Sequence, residues 1–264
     1  MESHNYFHNR LSEIGGEALW NYLPEKIQNI PIQVTARTGI KIEVLPIADC
    51  SSPLFGLEKA GAALDIDGIS QRIIIWYNPE AFDSSILAHE LIHLRRDIIE
   101  QQPKIMPFRC SPGRSSTLFL VENELEHLLI IPEEITLFAE AELRWVEHYN
   151  VLIDTITKRE QQDILENIFT WMQIRSSLPN QTDLAKRFAA HLNKLGPEWV
   201  KTCDYIRHIA MQALPNKSKL ISIITKELND MSPDLGQSIA IGHWEMSDDE
   251  LNFSIKMVGG QRLS

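Results

Sequence analysis

Residues 88–93 read Ala88-His89-Glu90-Leu91-Ile92-His93, and they lie in a segment that predicts a helix from about Ser84 to Gln101. On a helix of 3.6 residues per turn, His89 and His93 point in the same direction because they are four residues apart. Two imidazoles placed in this way can bind one divalent metal ion, and Glu90 lies beside the first of them. The stretch therefore predicts a metal site carried by a helix.

The segments that precede this helix predict a helix and a small β-sheet. Residues 14–30 carry an apolar stripe at helical spacing, and residues 40–47, 62–67 and 72–77 read as strands. A strand at the edge of such a sheet could pair with an extended peptide. We expect that edge strand to be Arg72–Tyr77 or its neighbour.

The segments that follow the metal helix predict mostly helices. A loop over residues 102–116 leads to a helix at 117–131, and Pro132 is expected to begin another helix that reaches Tyr149. Further helices are expected near residues 156–176, 182–195, 197–213 and 216–229, followed by a hairpin formed by 238–246 and 251–258. We therefore expect an α+β fold with a core over 1–150 and a mainly helical region over 151–264.

A third metal ligand is expected on the helix at 117–131. This helix carries Glu122, Glu124, Glu126 and His127, each of which has a side chain that can bind zinc. We favour Glu126, because Glu122 or Asn123 on the same face could hold its free oxygen. Glu122 is the next choice, and Glu124 and His127 stay open.

This arrangement resembles the gluzincin metallopeptidases, in which a glutamate from a later helix completes the H-E-x-x-H pair. Here the pair is His89 and His93, and the later helix contains Asn123-Glu124-Leu125-Glu126-His127. It is also similar to bacterial ImmA/IrrE-type metallopeptidases, whose ligand helix runs into a proline, as this one does at Pro132. The resemblance covers about residues 35–150. It implies a minimal zincin-like core, in which a small sheet packs on the H-E-x-x-H helix and on a ligand-bearing helix.

The function expected from these residues is hydrolysis of peptide bonds by a zinc-dependent peptidase. Zn²⁺ would activate a water molecule, and Glu90 would be the general base that takes its proton. His127, His148 and Tyr149 are candidate donors to the oxyanion that forms. The alternative is a metallopeptidase-like protein that binds or regulates a partner through a metal site without turnover.

Composition limits the partners and the compartment that we expect. The formal net charge of −11 disfavours nucleic acid, which binds to basic surfaces. The three cysteines, Cys50, Cys110 and Cys203, form no C-x-x-C pair, and no signal peptide or membrane span is recognisable. We expect a cytoplasmic protein that acts on a protein or peptide substrate, and nothing in the sequence indicates its oligomeric state.

Overall fold

The fold was taken from a computed structural model of the 264-residue chain, which describes residues 2–13, 16–50, 61–259 and 261–262. The described residues combine α-helices with two small β-sheets. The fold class is therefore α+β, which confirms that expectation.

The chain divides into two compact units. Unit 1 consists of Met1–Gln102 and His243–Ser254, and unit 2 consists of Pro103–Gly242 and Ile255–Ser264. The chain passes from one unit to the other after Gln102 and again within the C-terminal strands, and the expected division at residue 150 stays a prediction.

Among its described residues, unit 1 contains four α-helices and a three-stranded sheet, together with parts of two C-terminal strands. Its elements are α1 (Glu2–Glu13), α2 (Glu17–Tyr22), α3 (Glu25–Thr38), β1 (Ile42–Pro46), β2 (Ala62–Asp67), β3 (Arg72–Tyr77) and α4 (Ser84–Leu94). The helix expected over 14–30 is divided between α2 and α3. Leu23 between them is extended, with a ψ of 139°, and Pro24 follows it. A residue before proline disfavours the helical conformation, which accounts for the break.

The sheet of unit 1 has the strand order β1-β3-β2. Strand β1 runs parallel to β3, whereas β2 runs antiparallel to it. Arg72–Tyr77 is thus the central strand and not an edge strand, so the expectation for the edge holds only for its neighbours. The reason is visible in the side chains, because β3 is buried on both faces while β2 is half-buried over most of its length.

Helix α4 is shorter than expected. Its start is set by Asp83, whose carboxylate accepts a hydrogen bond from the backbone N–H of Ile86 at 2.8 Å, as an N-cap should. Its regular part ends at Leu94, and a turn of π-helix over Arg95–Ile99 follows. Leu87 and Leu91 are fully buried, so the apolar face of α4 lies in the core of unit 1.

Unit 2 is mainly helical. Its elements are β4 (Lys104–Pro107), α5 (Pro112–Leu137), α6 (Ala139–Ile156), α7 (Ile164–Ser176), α8 (Thr182–Leu195), α9 (Pro197–Met211), α10 (Lys217–Met231) and α11 (Pro233–Gln237), with parts of β5 (Ile239–Ser247) and β6 (Glu250–Val258), and β7 (Gln261–Arg262). Among the described residues, no helix is both long enough and apolar enough to cross a membrane.

Pro132 lies inside α5 and does not begin a new helix, so that expectation was wrong. An internal proline loses one backbone hydrogen bond and costs about 3 kcal/mol. Burial on both sides of it offsets this cost, since Ile130, Ile131 and Glu134 are all fully buried. The expected loop at 102–116 also contains strand β4, which pairs antiparallel with β5.

The C-terminal hairpin was predicted correctly. Strands β5 and β6 are neighbours in a sheet of order β4-β5-β6-β7. Asp248 and Asp249 in the turn have φ values of 53° and 64°, which is the left-handed geometry of a tight two-residue turn.

Candidate metal centre

Helix α4 brings His89 and His93 together in unit 1. Their Nε2 atoms are 3.1 Å apart, and the two rings meet edge to face with centroids separated by 4.7 Å. The pair is adjacent because positions i and i+4 lie on one face of a helix. His89 is buried and His93 is half-buried.

The spacing of these two nitrogens suits a shared metal ion. Zinc binds imidazole nitrogen at about 2.0–2.1 Å, so two nitrogens of a tetrahedral site are about 3.3 Å apart. The observed 3.1 Å is close to that separation. The same distance also suits a hydrogen bond from one ring to the other, so metal analysis is the measurement that separates the two arrangements.

Glu90 is a buried carboxylate on the same helix. Only 7% of the residue is exposed, although a charged carboxylate is rarely found in a hydrophobic core. Burying a charged group costs free energy unless it is paired or binds a metal ion or its ligands. A buried carboxylate that directly follows a metal-ligand candidate is therefore a candidate for a chemical role as well as a packing role.

The expected third ligand, Glu126, lies in a buried ion pair of unit 2. Lys217, the first residue of α10, contacts the carboxylates of both Glu126 and Glu122, and its Nζ is 2.6 Å from Oε1 of Glu122. The other oxygen of Glu122 accepts the backbone N–H of Ile105 in β4 at 2.7 Å. Burial raises the pKa of Glu122, and the Lys217 ammonium partly offsets that rise. The charge of Lys217 is thus shared by two carboxylates.

These contacts show that Glu126 and Glu122 share a buried lysine, which the sequence analysis did not predict. Both lie on one face of α5, as predicted, but that face meets α10 inside unit 2. The expected role of Glu126 as the third metal ligand stays a prediction. Lys217 is the residue that sequence reasoning missed, because it is 91 residues from Glu126 and resembles any lysine at the start of an amphipathic helix.

Glu124 also has a partner inside unit 2. The side-chain amide of Gln173 donates to the backbone carbonyl of Glu124 at 2.7 Å and to its carboxylate at 3.2 Å. Burial raises the pKa of Glu124 to about 7. Its position is explained by helix packing between α5 and α7.

His127 has a buried ring whose position is set by α6. The ring meets Trp145 edge to face at a centroid distance of 5.1 Å. The indole N–H of Trp145 donates to Glu134 at 2.9 Å, and Arg144 pairs with the same carboxylate. This packing restrains the orientation of His127, as metal ligands require.

The two remaining candidate donors differ in accessibility. Tyr149 is 1% exposed within the core of unit 2, and its hydroxyl has no hydrogen-bond partner among the described residues. His148 is exposed, and its ring contacts Trp145 at 5.4 Å. Burial in the core makes Tyr149 unsuitable as a donor to a substrate, whereas His148 is accessible.

Comparison with known proteins adds nothing to these observations. No family model matches the chain, and no curated protein or solved structure matches it either. The function of the chain is therefore inferred from its fold class and its side chains.

Proposed function

We propose that this protein is a zinc-dependent peptidase in which His89, His93 and His127 hold the ion and Glu90 is the general base. The observation that carries the proposal is the 3.1 Å separation of the His89 and His93 nitrogens on α4. Three histidines with an open fourth position are one of the known ligand sets of catalytic zinc.

His127 is preferred to Glu126 as the third ligand because of what surrounds each of them. Glu126 contacts the buried ammonium of Lys217, and a metal ion bound by Glu126 would place a second positive charge close to that ammonium. His127 is restrained by Trp145 and is uncharged when it binds a metal. A set of three histidines also leaves the full charge of the ion available to polarise a substrate.

Glu90 supports a catalytic site in preference to a structural one. A zinc ion held there would lower the pKa of a water molecule and polarise the carbonyl of a peptide bond. Glu90, buried beside His89, would accept the proton of that water and pass it to the departing amine. A structural zinc site has no use for such a base.

Strand β2 supports an extended peptide as the substrate. It is an outer strand of the sheet in unit 1, and helix α4 packs against it. A peptide that paired with β2 would therefore lie next to the helix that carries His89 and His93. Pairing of this kind uses backbone hydrogen bonds and accepts many sequences.

Metal analysis of the purified full-length chain is the first test. Wild type is expected to contain about one zinc ion per chain, and His89→Ala, His93→Ala and His127→Ala are each expected to lose it. Glu126→Gln is the matched control and is expected to keep zinc, with its fold checked by circular dichroism. Wild type that takes up no zinc would refute the proposal, and loss of zinc in folded Glu126→Gln would refute His127 as the third ligand.

Activity is tested separately with Glu90→Gln. This variant is expected to bind zinc like wild type and to lose cleavage of a degenerate peptide mixture followed by mass spectrometry. Cleavage that persists in Glu90→Gln would rule out Glu90 as the base. A zinc-loaded wild type that cleaves nothing would favour a binding protein without turnover.

A further inference from the structure

The positive charges of this chain are concentrated in one part of its sequence. Residues 175–226 contain nine lysines and arginines and three acidic residues, which gives a net charge of +6. All other residues together contain 16 basic and 33 acidic side chains, a net charge of −17. The formal net charge of −11 is therefore the sum of a basic stretch, which runs from the end of α7 into α10, and an acidic remainder.

Helix α9 carries an exposed row of side chains in the middle of this stretch. Lys201, Tyr205 and His208 are four and three residues apart, so they lie on one face of the helix. All three are exposed, and the exposed fraction of Tyr205 is 53%. The buried residues of α9 lie on its opposite side, and they are Cys203, Ile206 and Ala210.

Two further lysines extend this row beyond the ends of α9. Lys194 is exposed in the last turn of α8, two residues before the glycine that precedes α9. Lys219 is exposed on α10, and its ammonium donates to the backbone carbonyl of Gln212 at 3.2 Å, at the end of α9. We refer to Lys194, Lys201, Tyr205, His208 and Lys219 as the basic row.

The lysines of the basic row keep their charge towards solvent. They form no salt bridge with any residue that the structure describes. Asp204 on α9 already accepts the indole N–H of Trp171 at 2.8 Å and pairs with Arg207 at 3.7 Å. Glu198, in the first turn of α9, can offset one of the three charges. The row is therefore a net positive surface on an acidic protein.

The composition of the basic row indicates what kind of partner it fits. Exposed ammonium groups attract carboxylates, and an exposed tyrosine offers an aromatic ring of the type that is enriched in protein–protein interfaces. Nucleic acid is a less suitable polyanion, because its interfaces commonly neutralise about 6–10 phosphates whereas the row offers three lysines. The acidic remainder of the chain would also repel a long polyanion.

We propose that the basic row is a docking surface for an acidic polypeptide segment of a partner protein. Carboxylates of that segment would face Lys201 and Lys219, and an apolar side chain would pack on Tyr205. This goes beyond the proposed function, because the row shares no residue with the candidate metal site. Docking requires no metal ion, so it is tested on the chelator-treated full-length chain.

Binding is measured by fluorescence anisotropy with three labelled peptides. They contain the same leucines and glycines, and their remaining positions are glutamate, glutamine or lysine. The glutamate peptide is expected to bind most tightly. Each exposed ion pair contributes about 2- to 5-fold in Kd, so Lys201→Gln/Lys219→Gln should weaken binding of the glutamate peptide by about 4- to 25-fold. Tyr205→Ser should weaken it by about 5-fold or more.

A control variant separates the local charge from the overall charge. Lys158→Gln/Lys256→Gln removes the same number of positive charges from exposed positions outside the row and should bind the glutamate peptide like wild type. Circular dichroism checks that each variant is folded. Equal Kd values for the glutamate and glutamine peptides would overturn the inference, and so would an equal loss of binding in the two double variants.

A labelling experiment locates the peptide without changing the protein. Bound glutamate peptide should slow the acetylation of Lys201 and Lys219 by an N-hydroxysuccinimide ester, because the contact reduces access to their amines. Acetylation of Lys158 and Lys256, measured in the same sample by mass spectrometry, should be unchanged. Equal slowing at all four lysines, or no slowing at Lys201 and Lys219, would contradict docking on the basic row.

Other polyanions are compared in the same assay. A labelled single-stranded oligonucleotide and vesicles containing phosphatidylserine are expected to bind more weakly than the glutamate peptide. Tighter binding of the oligonucleotide, lost in Lys201→Gln/Lys219→Gln, would overturn a polypeptide partner in favour of nucleic acid. Tighter binding of the vesicles, lost in the same variant, would overturn it in favour of a membrane surface.

Discussion

Replacement of Lys217 by methionine is expected to destabilise the protein strongly. The ammonium of Lys217 is fully buried, with 0% of its side chain exposed, and it contacts the carboxylates of Glu122 and Glu126, which are 7% and 1% exposed. Methionine fills a similar volume but provides no charge. Two buried carboxylates would then lose the ammonium that contacts them both, although the charge of Lys104 still acts on Glu122.

The size of the effect follows from this burial. Breaking a buried ion pair by removing one partner costs about 3–5 kcal/mol. For a chain of this size, such a loss lowers Tm by about 6–20 °C. The Ile105 N–H that donates to Glu122 remains, so one carboxylate keeps part of its stabilisation.

The loss of stability should depend on pH, and the carboxylates determine whether it grows or shrinks as pH rises. Burial already raises the pKa of Glu122 with Lys217 present, and removing Lys217 raises it further. A carboxyl group whose pKa is higher in the folded state contributes stability at low pH and loses it as pH rises through the folded value. The difference between Lys217→Met and wild type should therefore be smaller at pH 5 than at pH 8.

Thermal unfolding followed by circular dichroism at both pH values measures these effects. Chelator-treated samples remove any contribution from bound metal. Lys226→Met, an exposed lysine on the same helix, is the matched control and should change Tm by little. The triple variant Lys217→Met/Glu122→Gln/Glu126→Gln should recover most of the loss, because it removes the two buried negative charges together with the ammonium.

One result would refute this reasoning. If Lys217→Met melted within about 1 °C of wild type at pH 8, Lys217 would not be neutralising Glu122 and Glu126. Glu126 would then again be a candidate for the third metal ligand in place of His127.

Three further predictions concern the buried side chains of Glu124, Tyr149 and Cys203. The carboxyl of Glu124 has its pKa raised from 4.5 to about 7, so its contribution to stability should be lost between these pH values, and denaturant titrations of Glu124→Gln should show a flatter pH dependence than wild type. Tyr149→Phe should leave the protein as stable as wild type or up to about 1 kcal/mol more stable in urea unfolding, because the hydroxyl is buried without a partner. A thiol reagent at pH 8 should modify the half-buried Cys50 and Cys110 in the native protein but not the buried Cys203, whose pKa burial raises to about 12, and mass spectrometry of the labelled protein checks this.

Local patterns in the sequence predicted the elements of this protein well. The β-branched run Arg72–Tyr77, the helix that begins after Asp83 and the hairpin around Asp248 and Asp249 are all present. Each is specified by neighbouring residues, through alternation, capping or turn geometry. The pairing of His89 with His93 belongs to the same class, because four residues of helix are enough to bring the rings together.

Features that depend on distant residues were not predictable in this way. The position of Arg72–Tyr77 in the centre of its sheet depends on β1 and β2 flanking it, and the continuation of α5 through Pro132 depends on packing around Glu134. No local pattern carries this information. The residues next to a proline, or within a strand, do not show which other elements will pack against them.

By itself, the sequence determined that His89, Glu90 and His93 share one helix with metal-binding spacing, because helix geometry acts over a single turn. Only the tertiary structure decided what the acidic residues of α5 do. Glu126 and Glu122 contact a lysine from a helix that begins 91 residues beyond Glu126. A buried carboxylate is stabilised by the cation that the fold places next to it, and that cation need not be near it in the sequence.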